Sequence, residues 1–241
     1  MKTPPRDAIR SFPLRVVEIH RKPSETLRIA CSALGIVLRR SRATRLPGPV
    51  AARRVMDLAR SARVVLIGGP SGAGKSTLLR SMIAAAQRRR ERASVVGAPR
   101  RTHDRVILDL LSGEVADRLK LLARAGLSEA SLLARTGREL STGQRHRLSL
   151  AMAMDQAARR GSTWIFADEF ASALDRTTAR ALAVTMARWM HSGPQRRTLV
   201  VATAHDDLIA ALAPDLLVWC SLDGAIDLIR RPPAAAGVPC R

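Results

Sequence analysis

The sequence predicts an α/β fold with a mostly parallel sheet flanked by helices, and three observations carry that expectation. Short apolar, β-branched runs recur along the chain: Arg63-Val64-Val65-Leu66-Ile67, Trp164-Ile165-Phe166-Ala167 and Leu199-Val200-Val201-Ala202-Thr203. Segments of helical spacing separate them, notably 77–83, 144–159 and 175–191. Polar stretches fall directly after the runs, at 68–76, 168–175 and 204–207, the first of them rich in glycine. Runs of this kind suit strands buried on both faces, and strands alternating with helices give a parallel sheet. Such sheets bind ligands beyond the carboxyl ends of their strands, where the polar stretches lie.

The remaining elements follow from local chemistry. Residues 1–23 are polar with scattered prolines and hold one candidate strand, Leu14-Arg15-Val16-Val17-Glu18-Ile19. Ser24 before Thr26-Leu27-Arg28-Ile29-Ala30 reads as the N-cap of a helix running towards Gly35. Pro47-Gly48-Pro49 marks a turn. Residues 114–135 read as helices broken at Gly126. The expected organisation is an N-terminal basic segment over 1–45, a main domain over 46–230 and a Pro/Ala-rich tail over 231–241.

Composition narrows the class. The 241 residues are ample for one buried core. The longest stretch without a charged side chain, Val64 to Gly74, has 11 residues, whereas a membrane-spanning helix needs about 20 apolar ones. The N-terminus lacks the apolar region of a secretory signal. Cys31, Cys220 and Cys240 are an odd number without metal-ligand spacing, which points to a reducing cytoplasm. The formal charge is +21, from 37 Arg and 4 Lys against 20 acids. Residues 1–120 hold 26 basic and 9 acidic groups, and the rest 15 and 11. Two readings stand beside each other: a polyanion-binding face in the N-terminal half, and an Arg-rich solvated surface of compositional origin. The same pair applies to the seven Arg of residues 88–105, as a grip on a nucleic-acid backbone or as an exposed loop. With no aromatic between Phe12 and Trp164, base stacking is disfavoured, so duplex or structured RNA fits better than a single strand.

Gly69-Pro70-Ser71-Gly72-Ala73-Gly74-Lys75-Ser76 matches G-x-x-x-x-G-K-[ST], with Thr77 opening the helix behind it. Glycines let backbone N–H groups curl around phosphate oxygens, and a helix N-terminus favours the anion. Lys75 would reach the β- and γ-phosphates and the Ser76 hydroxyl would ligate Mg²⁺. Asp168-Glu169 follows the strand Trp164–Ala167. One carboxylate there can hold Mg²⁺ and the next can take a proton from water.

Leu140-Ser141-Thr142-Gly143-Gln144 stands about 25 residues before Asp168 and opens a helix. With these motifs in order, the chain resembles the ATP-binding cassette (ABC) ATPases, whose signature is LSGGQ. Ser172-Ala173-Leu174-Asp175 looks like their D-loop and His205 like their switch histidine. The resemblance implies a P-loop NTPase with a mostly parallel sheet and a helical subdomain, about 106–158 here and shortened. It also implies a head-to-tail dimer, homo- or heteromeric, that sandwiches ATP and Mg²⁺ between one phosphate loop and the partner's Ser141 and Gly143. Glu169 would be the general base, His205 a γ-phosphate contact, and Asp175 a messenger across the interface. His205 as an ordinary strand-end histidine and Asp175 as a helix N-cap remain alternatives.

Three departures qualify the resemblance. No aromatic precedes the phosphate loop to stack on adenine, which leaves Arg45, Arg53 or Arg54 as substitutes. The family's Q-loop glutamine is missing: Gln87 comes too early, and His103 or Asp104 occupies the expected region. Lys75 to Ser141 spans 66 positions, shorter than in transporter cassettes. The expected function is therefore ATP hydrolysis in a compact soluble cassette, of the subgroup sometimes fused to an acetyltransferase-like domain. A transporter ATPase subunit and a non-hydrolytic ATP-sensing switch are the alternatives.

Overall fold

The computed structural model describes residues 15–19, 23–33, 35–40, 48–97, 104–192 and 196–231, with the backbone alone at 15–19, 39 and 40. The chain opens with β1 (Arg15–Ile19), α1 (Glu25–Ala33) and β2 (Ile36–Arg40), β1 and β2 forming a parallel pair. The Ser24 Oγ accepts from the Leu27 N–H at 3.1 Å, the expected cap. Next comes α2 (Gly48–Ala59), where a turn was expected. Gly48 and Pro49 occupy its first turn, where a missing proline N–H breaks no helical bond. The alternation continues with β3 (Val64–Gly68), α3 (Lys75–Arg88) and β4 (Ala93–Val96).

A short 3₁₀ turn (Ile107–Leu110), α4 (Val115–Arg124) and α5 (Ala130–Leu133) lead into the long α6 (Thr142–Arg160). The break expected at Gly126 is there, with φ +78°. The chain then runs through β5 (Trp164–Ala167), α7 (Arg176–Ser192), β6 (Thr198–Ala202), α8 (Leu208–Leu212), β7 (Leu216–Cys220) and β8 (Ile226–Arg230).

The main sheet has the order β4-β5-β6-β3-β7-β8, with only β8 antiparallel. Strands β3, β5, β6 and β7 are buried along their whole length. On one face α2 and α3 cover Val65, Ile67, Phe166 and Val218. On the other, α1, α6, α7 and α8 cover Val64, Leu66, Ile165 and Val201. Each fully buried Leu, Ile or Phe in these layers contributes about 1.5–3 kcal/mol. The Asp215 Oδ2 accepts from the N–H groups of Arg63 (2.7 Å) and Val64 (3.0 Å), which pins the start of β3 beside β7. A third cluster, built on Ile107, Leu111, Leu122, Leu127, Leu132 and Leu148, holds α4, α5 and the first half of α6 together away from the sheet.

Because β6 lies between β3 and β5, the carboxyl ends of these three strands stand side by side. The loops that leave them form the candidate site. Among the described residues no helix is long and apolar enough to cross a membrane. Cys31 and Cys220 are both buried.

Candidate nucleotide site

The phosphate loop leaves β3 at Gly68 and enters α3 at Lys75. Gly69 has φ +137°, and a Cβ there would stand 2.1 Å from the Cys220 carbonyl oxygen at the end of β7. Only glycine fits that close approach. Gly74 is left-handed (φ +85°) and supplies no side-chain cap, so the first N–H groups of α3 keep the polarity that favours an anion. The Lys75 Nζ donates to the carbonyls of Gly69 (2.8 Å) and Pro70 (2.6 Å), which lays the ammonium across the loop. Partial burial holds this ammonium below the ordinary lysine pKa, against the opposing pull of Cys220 and Asp168.

The next strand end meets this loop directly. The Ser76 Oγ donates to the Asp168 Oδ1 at 2.8 Å, and the Glu169 N–H donates to the same oxygen at 3.1 Å. A hydroxyl and a carboxylate in contact are hard oxygen donors, suited to sharing Mg²⁺ with phosphate oxygens. Glu169 is exposed with φ +48°, whereas Phe170 is fully buried and its N–H donates to the Ala202 carbonyl (2.9 Å). Directly after β6 comes Thr203, whose Oγ1 accepts from the His205 N–H at 3.2 Å.

Ser71, Gly72, Lys75, Ser76, Asp168, Glu169, Ser172, Thr203 and His205 thus line one cleft of about 300 Å³. The segments 69–76, 168–172 and 203–205, far apart in the chain, converge there.

The signature segment stands outside that cleft. Ser141 caps α6 in a reciprocal box: its Oγ accepts from the Gln144 N–H (3.2 Å), and the Gln144 Oε1 accepts from the Ser141 N–H (2.9 Å). Gly143 packs against the Asp175 loop, where a Cβ would lie 3.1 Å from Leu174 and 3.2 Å from the Ala173 carbonyl. Asp175 caps α7, accepting from the Thr178 N–H at 2.9 Å. Its carboxyl is held below the usual range by the Thr178 hydrogen bonds.

Other expected residues lie elsewhere. Arg53 and Arg54 are exposed on α2, and Gln87 near the end of α3, outside the cleft lining. Asp104 pairs with Arg138 at 2.9 Å, and Arg45 and His103 fall outside the described residues.

Three groups near the site carry no signal in their spacing. The Asp207 carboxylate joins Arg176 and Arg180 of α7, which ties the His205 loop to the Asp175 loop. Thr203 orients the backbone at His205. His146 of α6 accepts from the Ala171 N–H (3.3 Å).

A strand-loop-helix cradle, a hydroxyl-carboxylate pair and a polar cleft at the ends of β3, β5 and β6 define a P-loop nucleoside triphosphatase fold. The family model for novel STAND NTPase 1 matches residues 50–228, and the chain belongs to that family. Three solved structures have the same fold. The dimeric post-hydrolysis state of the ATP-binding cassette MJ0796, bound to ADP and Pi, is 21% identical with a TM-score of 0.55, covering 71% of this chain and 86% of that one. A second dimeric structure of MJ0796, a bacterial ABC transporter cassette, gives 20% and 0.54 over 71% and 86%. The ADP conformation of MJ1267, an ATP-binding cassette of an ABC transporter, gives 19% and 0.51 over 69% and 80%. The sheet is therefore that of an ABC cassette, as the resemblance implied. A comparison with curated proteins found no match.

Proposed function

We propose that this chain binds MgATP and hydrolyses it at the interface of a head-to-tail dimer, and that closure on ATP does work on a partner. The observation that carries the reading is the Ser76–Asp168 contact of 2.8 Å beside Glu169 in one cleft with Lys75. Residues 46–230 form the ATPase domain on this reading, with a helical subdomain about 106–158.

The backbone N–H groups of residues 69–76 and the Lys75 ammonium hold the triphosphate. Its β- and γ-oxygens then replace the Gly69 and Pro70 carbonyls as partners of Nζ. Ser76 and Asp168 would hold Mg²⁺, which would supply charge neutralisation at the phosphate oxygens. Glu169 accepts the proton of the attacking water, and its exposed carboxylate, one residue beyond the metal ligand, is placed to do so. His205, fixed by Thr203, donates to the γ-phosphate. Ser141 and Gly143 stand outside their own cleft, which fits a role on the nucleotide of a second cassette.

The MJ0796 cassette is dimeric in both of its structures, and we carry that arrangement over to this chain. The test is steady-state ATPase activity with Mg²⁺ for the wild type, Lys75→Ala and Glu169→Gln. Turnover lost in both variants, with binding retained in Glu169→Gln, supports the proposal. Equal turnover in all three refutes it.

One surface favours a polyanionic partner for the soluble cassette. Arg53, Arg54, Arg80, Arg88 and Arg90 are exposed on α2, on α3 and just after it. The nearby acids are already engaged: Glu91 with Arg60, and Asp57 with Arg89 at 2.9 Å. Of the Arg-rich run, Arg92 and Arg105 donate to backbone carbonyls, so the exposed arginines of α2 and α3 are the stronger candidates for a duplex backbone. Stimulation of the ATPase by duplex DNA or structured RNA, fading as salt rises, is the expected result. A rate indifferent to nucleic acid at low salt would remove this partner.

A further inference from the structure

Two non-glycine residues adopt left-handed backbone on either side of Phe170: Glu169 (φ +48°) and Ala171 (φ +60°). L-residues with a Cβ enter that region only when the surroundings impose it. Two contacts do so here. The buried Phe170 anchors the segment to β6 through the Ala202 carbonyl. Beyond it, the Ala171 N–H, itself fully buried, donates to the His146 Nε2 at 3.3 Å. A buried N–H without an acceptor is costly, so this imidazole satisfies a group that no strand or helix bond reaches. With Nε2 accepting, the ring is the neutral tautomer protonated at Nδ1. Burial lowers the pKa of His146, which keeps it neutral, while the Glu169 carboxylate pulls the other way and marks how near the two lie.

His146 sits on α6 just over one turn beyond Ser141, the cap of that helix. Its ring is therefore rigidly connected to the signature segment at one end and to the Glu169 loop at the other. We propose that His146 is a positioning residue that sets Glu169 through the Ala171 N–H and links the signature helix to the base of the same chain. The inference rests on the proposed roles of Glu169 and of the signature and adds to them a path within one subunit. Displacement of α6 on engaging the partner's nucleotide moves the acceptor at Ala171 and hence the loop that carries Glu169. The work falls on turnover and leaves nucleotide binding alone, since His146 is absent from the cleft lining.

The test uses the full chain with His146→Leu, His146→Gln and Glu169→Gln, and reads kcat, KM and the Kd of a fluorescent ATP analogue. Leucine fills the space without an acceptor, whereas glutamine offers its amide oxygen to the Ala171 N–H. The expected result is a kcat at least about tenfold lower for His146→Leu, with KM and Kd within about twofold, because small misplacement of a reacting group is enough to cost such a factor. His146→Gln is expected to recover kcat to within about threefold of wild type. If His146→Leu does not fold, His146→Met takes its place. Unchanged kcat in the apolar variant, or equal loss in the apolar and glutamine variants, overturns the role of His146. Where that happens while Glu169→Gln abolishes turnover, the site reading survives. Where Glu169→Gln leaves turnover intact, the site reading falls and this inference with it.

Discussion

Replacing Gly69 with alanine tests how the phosphate loop is held, and its cost can be worked from the geometry. The added Cβ would lie 2.1 Å from the Cys220 carbonyl oxygen and 3.0 Å from its carbon, both backbone atoms of β7. Normal contact needs roughly 3.2 Å, so loop and strand would have to separate by about 1 Å, an overpacking cost of about 1–3 kcal/mol. At φ +137° the alanine also sits where L-residues are strained, which adds about 1–3 kcal/mol. Gly69→Ala should therefore lose roughly 2–6 kcal/mol, on the order of 10 °C in melting temperature for a chain of this size. Gly74→Ala is the internal comparison: φ is +85°, but nothing lies within 4 Å of its Cβ. Only backbone strain of about 1–2 kcal/mol applies there. Thermal and urea unfolding followed by far-UV circular dichroism read both variants. Equal stability of the two would refute the claim that the loop is pressed against the end of β7.

The remaining expectations concern chemistry and charge. Asp168→Asn replaces the carboxylate proposed to hold Mg²⁺ by a neutral amide whose oxygen can still accept from the Ser76 hydroxyl, and should lower Mg²⁺-dependent turnover at least about a hundredfold while leaving melting within a few degrees. Asp207→Asn breaks a pair with two partly exposed arginines and should cost about 1 kcal/mol in a urea titration at pH 7. The hydrogen bond from Arg176 holds the Asp207 carboxyl below its usual range. Its stabilising effect is therefore full above the unfolded pKa, near 4, and is lost as pH falls through the lower folded value. The variant should accordingly show less loss of stability between pH 5 and 3 than the wild type. Burial, with Asp227 adding to it, pushes the Cys31 thiol up to about 11. At pH 8 its thiolate fraction is about one in a thousand, so iodoacetamide should label Cys31 only after unfolding, as read by peptide mass spectrometry.

Most of the site was legible because its residue types are scarce and their spacing is dictated by phosphate chemistry. Gly69 to Ser76 need glycines, a lysine and a hydroxyl together, and the strand that precedes them is a continuous apolar run. The strands β2, β4, β7 and β8 and the helices α2 and α8 were not anticipated. In β4 the buried Ser94 pairs with Ser162 at 3.0 Å, so a polar residue occupies a core position and breaks the apolar pattern. For α2, the Pro-Gly-Pro run looks like a turn until the proline is seen to occupy a position that needs no N–H. His146 escaped because its partner is the backbone of a residue 25 positions away, and no side-chain pattern records such a bond. Ala171 likewise gives no sign of its left-handed backbone, since alanine is common everywhere. The charge excess placed most of its weight in the N-terminal half, yet part of the Arg run is spent on backbone carbonyls and on Asp57, and outside the run Arg60 is spent on Glu91.

The central claim is that each nucleotide is completed by the signature of a second chain, and mixing two inactive variants tests it most directly. Lys75→Ala disables the phosphate loop. Thr142→Glu places a negative charge on the exposed first turn of α6, where it favours the helix but repels a γ-phosphate. In a mixed dimer, the intact loop of one chain would face the intact signature of the other. Random mixing in equal amounts makes about half of the dimers mixed, each with one working site, so ATPase activity should rise to about a quarter of wild type. Activity that stays at the sum of the two variants at every mixing ratio would contradict the shared site.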